Sequence, residues 1–349
     1  MYAVHLGYTH SGCTPYTTPA SVEEDNTLKA IIYHRYGSPD VLRFDEVAEP
    51  VVKDEEVLIR VRAASVNPRD WHFLRGVPYV MRPLGLRIPR DGGFGSDVAG
   101  QVEAVGRAVT RFRPGDQVFA HVLKGAFAEY TSVPEAVVGP KPANLNFEQA
   151  AAVPLAGLTA LQGLRDHGRV RPGQEVLIIG ASGGVGTFAV QLARWLGAEV
   201  TGVCSTRNLD MVRSIGADHV IDYTREDVTR SGQRYDLLFQ LAGTRSPWDC
   251  RRALTHRGTL IPSSGESDGR WIGPLDRLVE AMVLFPFVSQ RLALFEAKQS
   301  GDDLRLLQEL IEAGKIAPVI DRTYQLSETP EAVRYLETGH ARGKVVITV

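Results

Sequence analysis

The chain has 349 residues, 44% hydrophobic and 23% charged, with a formal net charge of −2. That length implies a sizeable core and about two domains, and a charge so near zero gives no footprint for nucleic acid or an anionic membrane. Three widely spaced cysteines, Cys13, Cys204 and Cys250, form no C-x-x-C pair, which excludes a disulfide framework and a cysteine-rich zinc site and suits a reducing, cytoplasmic setting.

No apolar run approaches the roughly 20 residues of a membrane span, and the first residues lack the order of a signal peptide. Residues 1–27 carry no periodicity and are expected to be a poorly ordered extension. Short strands are predicted at Ala30–Tyr33, Val41–Val47, Glu56–Ala64, Val98–Val105, Gln117–Ala120 and Phe127–Ser132. Turn signals such as Gly37-Ser38-Pro39, Gly106 and Pro114-Gly115-Asp116 separate them. The pattern predicts a small, mostly antiparallel β domain. Asn146–Leu164 predicts a helix interrupted at Pro154 and Gly157.

Glu175 to Cys204 changes the pattern. A β-branched run, Val176–Ile179, leads into Gly180-Ala181-Ser182-Gly183-Gly184-Val185-Gly186, then a helix over Thr187–Leu196 stopped by Gly197, then a second strand, Val200–Val203. Strand, glycine-rich turn, helix and strand within about 30 residues are the context of a dinucleotide-binding unit. Gly183 lets backbone approach a pyrophosphate on the helix N-terminus, and Gly186 lets the helix pack on its strand; Ala181 stands at the first fingerprint position. Helix and strand signals then alternate: Leu209–Ile215, His219–Asp222, Asp236–Leu241, Trp248–Leu254 and Thr259–Pro262, which implies a doubly wound parallel sheet. Gly265–Pro286 reads as an insertion with a helix at Leu275–Leu284, Arg291–Phe295 as a last strand, and Asp302–Ala313 as a helix. The tail, helix Pro330–Leu336 and strand Lys344–Val349, has no βα partner left and is expected to return to the first domain.

Nine motifs in order resemble the medium-chain dehydrogenase/reductase superfamily, in particular its zinc-free quinone oxidoreductase branch. They include Tyr36–Leu42, Ala64–Asp70, Phe94–Gly100, Arg113–Val118, Ala126–Tyr130, Pro154–Ala160, the glycine-rich loop, Gly216–Tyr223 and Gly343–Ile347. The resemblance implies a GroES-like catalytic domain over 29–151 and 317–349, a Rossmann domain over 152–316, and an active site in the cleft between them. It also implies cofactor contacts at Thr159, Ala181, Ser182, Gly183, Gly184, Val185, Gly186, Tyr223, Leu241 and Lys344.

The second strand of the unit runs into Ser205-Thr206-Arg207 without the carboxylate that binds a ribose 2′-hydroxyl. A hydroxyl and a guanidinium there, Ser205 and Arg207, favour a 2′-phosphate, so the expected cofactor is NADPH. In zinc-dependent relatives, ligands stand at the positions of Asn67, Ser96 and the region of Ala156; this chain has none of them, and no metal site is expected. Without a Lewis acid, suitable hydride acceptors are those whose product charge is delocalised, a quinone or an α,β-unsaturated carbonyl. Asn67 is the candidate catalytic residue, with an amide able to donate to the nicotinamide carboxamide or the acceptor oxygen; tying down the loop before Pro68 is the alternative. Asp70 is expected to order that loop. Tyr33, Tyr36, Tyr79 and His72 stay unranked as proton donors. Enoyl-thioester reduction and cofactor binding without turnover are the competing functions, and a homodimer paired through Leu292–Phe295 is expected.

Overall fold

A computed structural model describes residues 27–77, 79, 93–263 and 275–349. The expected extension lies outside these residues except for Thr27, as do most of the Gly76–Arg90 loop and the first part of the Gly265–Pro286 insertion.

The first lobe opens with β1 (Thr27–Ile32), β2 (Arg43–Ala48) and β3 (Glu56–Val66), then α1 (Pro68–Arg75). It continues through β4 (Asp97–Val105), β5 (Gln117–His121), β6 (Tyr130–Pro134) and β7 (Val138–Pro140). Two helices, α2 (Phe147–Ala151) and α3 (Pro154–Gln162), lead to β8 (Glu175–Ile179), α4 (Gly184–Trp195), β9 (Glu199–Cys204), α5 (Leu209–Ser214) and β10 (His219–Asp222). The second lobe is completed by β11 (Tyr235–Gln240), α6 (Pro247–Arg252), β12 (Leu254–Pro262), α7 (Leu275–Leu284), β13 (Arg291–Leu292) and α8 (Gly301–Glu312). The chain ends on β14 (Ile320–Gln325), α9 (Thr329–Glu337) and β15 (Lys344–Thr348).

Six strands form a parallel sheet in the order β10-β9-β8-β11-β12-β13. Strand order reverses direction between β8 and β11, and the crevice at that switch point is where such sheets bind ligands. The tail returns as expected: β15 pairs antiparallel with β3, the centre of a seven-stranded sheet ordered β14-β15-β3-β4-β5-β7, with β6 also on β3. One apolar core joins the lobes, because Ala63, Ala99, Phe119 and Val346 of that sheet pack with Ala150–Val153, Phe188 and Leu304.

Several boundaries differ from the sequence reading. Pro154 begins α3 instead of interrupting a helix, since its fixed φ suits a first helical position. Gly157 does not break α3; a Cβ there would lie 2.9 Å from Leu307 Cδ1, so the glycine admits α8. The expected strand Arg291–Phe295 is only two residues long, α4 starts three residues earlier than Thr187, and α1, β7 and β14 were not foreseen. In α1 the Asn67-Pro68 pair reads as a turn, yet Pro68 sits at the first helical turn and Gly76, at φ 59°, closes it.

Candidate active site between the lobes

Strand register gathers the polar residues. Ser65 lies opposite Asp97, Asp97 opposite His121, and Val345 opposite Val66, so the ends of β15, β3, β4 and β5 bring together Lys344, Asn67, Asp97 and His121. All four are buried, as are Asp70 and Ser96. Asn67 Nδ2 donates to Asp97 Oδ2 at 2.9 Å and to Ser96 Oγ at 3.2 Å, while its Oδ1 accepts from Lys344 Nζ. The ammonium also reaches Val66 O at 3.3 Å and Asp97 Oδ2 at 3.4 Å. Asp97 Oδ1 accepts the Leu155 N–H at 2.9 Å, which ties this cluster to the start of α3. Asp70 accepts the Asn67 backbone N–H at 2.7 Å and the Ser96 hydroxyl at 2.7 Å.

Burial pushes the Asp97 carboxyl up, but the Lys344 charge and the His121 and Asn67 contacts together hold it below the usual carboxylate range. Burial pulls Lys344 down, opposed by Asp97 and Asp70. For Asp70 burial wins: against the Ser96 and Asn67 hydrogen bonds, and with the Asp97 charge adding to it, the carboxyl rises to about 6. A raised acid favours folding in its protonated form, so that stabilisation is fully present below the unfolded value of 3.8 and is lost as pH rises through about 6. Between pH 4 and 7, the protein is expected to lose about 2 kcal/mol more stability than its Asp70→Asn variant. Denaturant unfolding at a series of pH values reads this, and parallel profiles would refute it.

The glycine-rich loop faces this cluster. Gly180, at φ 87°, makes the tight turn, and a Cβ on Gly186 would lie 2.0 Å from Gly180 O, so α4 rides directly on the loop backbone. At Gly183 the nearest atom to a Cβ is 3.5 Å away, which leaves approach to the α4 N-terminus open. Ala181 is fully buried beneath Gly202, while Ser182, Gly184 and Val185 are half-buried at the mouth. Gly343 N donates to Ser182 O at 2.9 Å, Gly183 and Gly343 form a bridge, and the Lys344 side chain crosses Gly184. The first-lobe cluster and the loop are therefore joined through two consecutive residues. This cradle fits a dinucleotide: a glycine turn too tight for a side chain, an exposed helix N-terminus and an adjoining buried cation.

At the far end of the loop, Ser205 follows β9, and Arg207 donates to His340 O at 2.6 Å, a further tie between the lobes. Tyr223 is half-exposed beside them, its N–H on Cys204 O. The structure adds an acid that the sequence reading did not weigh: Asp222, next to Cys204 in register, is bonded by the Thr206 and Thr224 hydroxyls and the Thr224 N–H. The Thr206 bond outweighs burial and, with Thr224, holds its carboxyl low.

Leu241, its N–H on Ile179 O, borders the loop where Ala242 would block a side chain at Gly180. Thr159 donates its hydroxyl to Leu155 O at 2.7 Å, within its own helix. Asn67 differs from expectation: both ends of its amide are engaged by Asp97, Ser96 and Lys344, so it braces the cluster with no donor left over. Asp70 orders the α1 start as expected. Of the unranked donors, Tyr33 is buried against the Phe94 ring and Tyr36 lies under Gly76. His72 stacks on Trp71, and burial, against the Val77 hydrogen bond and the Glu337 charge, lowers it to about 4. Ser96 enters the sequence argument only as a vacant metal-ligand position, and Asp97 and His121 do not enter it; the pairing register brings all three to the site. Among the described residues no group of three or more His, Cys, Asp or Glu is placed to hold a metal ion.

Two lobes, a glycine-rich βαβ cradle and a buried polar cluster across the crevice define a nicotinamide-dependent oxidoreductase. Residues 53–143 match the alcohol dehydrogenase GroES-like domain and residues 215–347 the zinc-binding dehydrogenase domain. The chain is 37% identical to the mitochondrial NAD(P)H oxidoreductase RTN4IP1 of Mus musculus, over 92% of this chain and 89% of that protein. It is 34% identical to the chloroplastic NADPH-dependent alkenal/one oxidoreductase of Arabidopsis thaliana, over 95% and 81%. The structure of the quinone oxidoreductase from Coxiella burnetii superposes with a TM-score of 0.81 at 30% identity, covering 93% of this chain and all of that one. The chain belongs to the medium-chain dehydrogenase/reductase superfamily, and the relatives named here are oxidoreductases of that superfamily. No helix of the described residues is long and apolar enough to cross a membrane.

Proposed function

We propose that this protein reduces a quinone or an α,β-unsaturated carbonyl with NADPH and without a metal ion. The observation that carries the reading is the buried Lys344 ammonium, held by Asn67, Val66 O and Asp97 and crossing Gly184. A divalent cation beside that ammonium would be repelled at short range in a low-dielectric setting. The bound cofactor supplies the hydride from its nicotinamide C4. The chain holds the pyrophosphate on Ser182–Gly186 at the α4 N-terminus, while Thr159, Leu241 and Lys344 border the nicotinamide end. Lys344 supplies the positive charge towards which an enolate or quinol oxygen would develop. Asn67 keeps that ammonium in place through its Oδ1, and Asp97 keeps it charged.

The absence of an acid directly after β9, with Ser205, Arg207 and Tyr223 there instead, supports NADPH over NADH. The two sheets support domains over 29–151 with 317–349 and over 152–316. We also propose a cytoplasmic homodimer paired through the edge strand β13, with Val283 and Phe287, exposed in the single chain, covered on association; sedimentation reads the oligomer directly, and a monomer would oppose it. The functional test is NADPH oxidation, followed at its absorbance, with a panel of quinones and alkenals. Turnover that survives a strong chelator is expected. Tight NADPH binding with no acceptor turned over would replace this reading with a non-catalytic one.

A further inference from the structure

Asn208 stands at the start of α5, where an asparagine ordinarily turns its side-chain oxygen onto the first N–H groups of the helix. Here it makes no such cap. Its side chain is buried, 4% exposed, and its Nδ2 donates to Ser182 Oγ at 3.0 Å and to Ser205 Oγ at 3.2 Å. Its Oδ1 is buried without a hydrogen-bond partner. An orphaned buried carbonyl costs stability, and the amide keeps this orientation because its two N–H groups find acceptors only in the two serine hydroxyls. The reverse orientation would leave both amide N–H groups buried and unmatched.

Hydrogen-bond logic gives the arrangement a consequence. A hydroxyl that accepts from an N–H retains its own O–H for donation elsewhere. Ser182 and Ser205 both accept from Asn208, make no other side-chain hydrogen bond among the described residues, and are half-buried at the crevice. One serine lies in the glycine-rich loop and the other directly after β9, the two places that flank the adenosine ribose in this fold. We propose that Asn208 is a positioning residue that turns the Ser182 and Ser205 hydroxyls into paired outward donors, selecting a phosphate on the ribose 2′ position over a hydroxyl.

A phosphate oxygen only accepts, and an O–H donated to it is charge-assisted; the same two donors gain no such assistance from a neutral 2′-hydroxyl. Arg207 and Tyr223 alone would supply charge and contact without fixing the direction of these two donors. The inference rests on the NADPH reading for its ligand, and the tests below separate the two.

Asn208→Asp offers the serines an acceptor, so both hydroxyls turn inwards and a negative charge is added. The KM for NADPH is expected to rise at least roughly tenfold, with kcat and the KM for NADH little changed. Asn208→Ala should shift NADPH in the same direction by a smaller factor, and Ser205→Ala should raise the KM for NADPH by a smaller factor in that background than in the unaltered protein. Calorimetric titration with 2′,5′-ADP and with 5′-ADP gives the same comparison without turnover, and only the former should weaken. Equal losses for both cofactors and both nucleotides, or no change in any, would overturn the role of Asn208. Wild-type protein that binds 5′-ADP as tightly as 2′,5′-ADP would instead remove the NADPH reading, and the inference with it. Should Asn208→Asp fail to fold, the Asn208→Ala and Ser205→Ala pair carries the same comparison.

Discussion

Lys344→Met is expected to lower stability by about 3–5 kcal/mol and kcat/KM by about 100-fold. The ammonium is buried, and three acceptors, Asn67 Oδ1, Val66 O and Asp97 Oδ2, surround it. Methionine preserves much of the length over Gly184 but removes the charge, so Asp97 is left buried with its hydrogen bonds and without the ammonium. Such breakage is costly because the remaining ion has lost its compensation; the pair itself need not be strongly stabilising. That distinction can be measured. Lys344→Met combined with Asp97→Asn should recover part of the lost stability, because the second change removes the stranded charge. Activity should not recover, since the cation beside the glycine-rich loop is still gone. Additive stability losses, or a single variant with wild-type unfolding and turnover, would refute the assignment of Lys344 as the charge shared by both lobes.

The cofactor half of this site was legible in the sequence, while much of the cluster facing it was not. Gly180–Gly186 carries its own local context: a β-branched strand before it and an apolar helix after it within one short stretch, with Gly180 and Gly186 each answering a local steric demand. The return of the tail was legible for a similar reason, because a strand without a βα partner had to pair elsewhere. Asp97 and His121 carry no such signal. They lie far from Lys344 in the chain and meet it only because β3 pairs β15 on one side and β4 on the other, and pairing register is not a local property. Asn67 shows the same limit in another form. Its position was foreseen, but the direction of its amide is set by partners 29, 30 and 277 residues away. The missed helix α1 has a local cause, since Asn-Pro serves equally as a turn and as a helix start.

Gly186→Ala is expected to lower both stability and cofactor affinity, the latter by more than about 100-fold. A Cβ at this position would lie 2.0 Å from Gly180 O and 2.8 Å from the Ala181 carbonyl carbon, so backbone and not a movable side chain opposes it. The helix α4 would have to withdraw from the loop, and its first N–H groups would withdraw with it. Gly183→Ala separates the two effects. Gly183 has φ −83°, which any residue adopts, and its Cβ would meet nothing nearer than 3.5 Å. That variant should melt close to wild type, within about 1 kcal/mol, yet bind NADPH poorly, because the added methyl occupies the space through which the pyrophosphate reaches the helix. Thermal unfolding together with NADPH titration by fluorescence distinguishes the pair. If Gly186→Ala melted and bound as the unaltered protein does, the contact of α4 on Gly180 would not be what shapes the cradle, and the placement of the dinucleotide across it would fail.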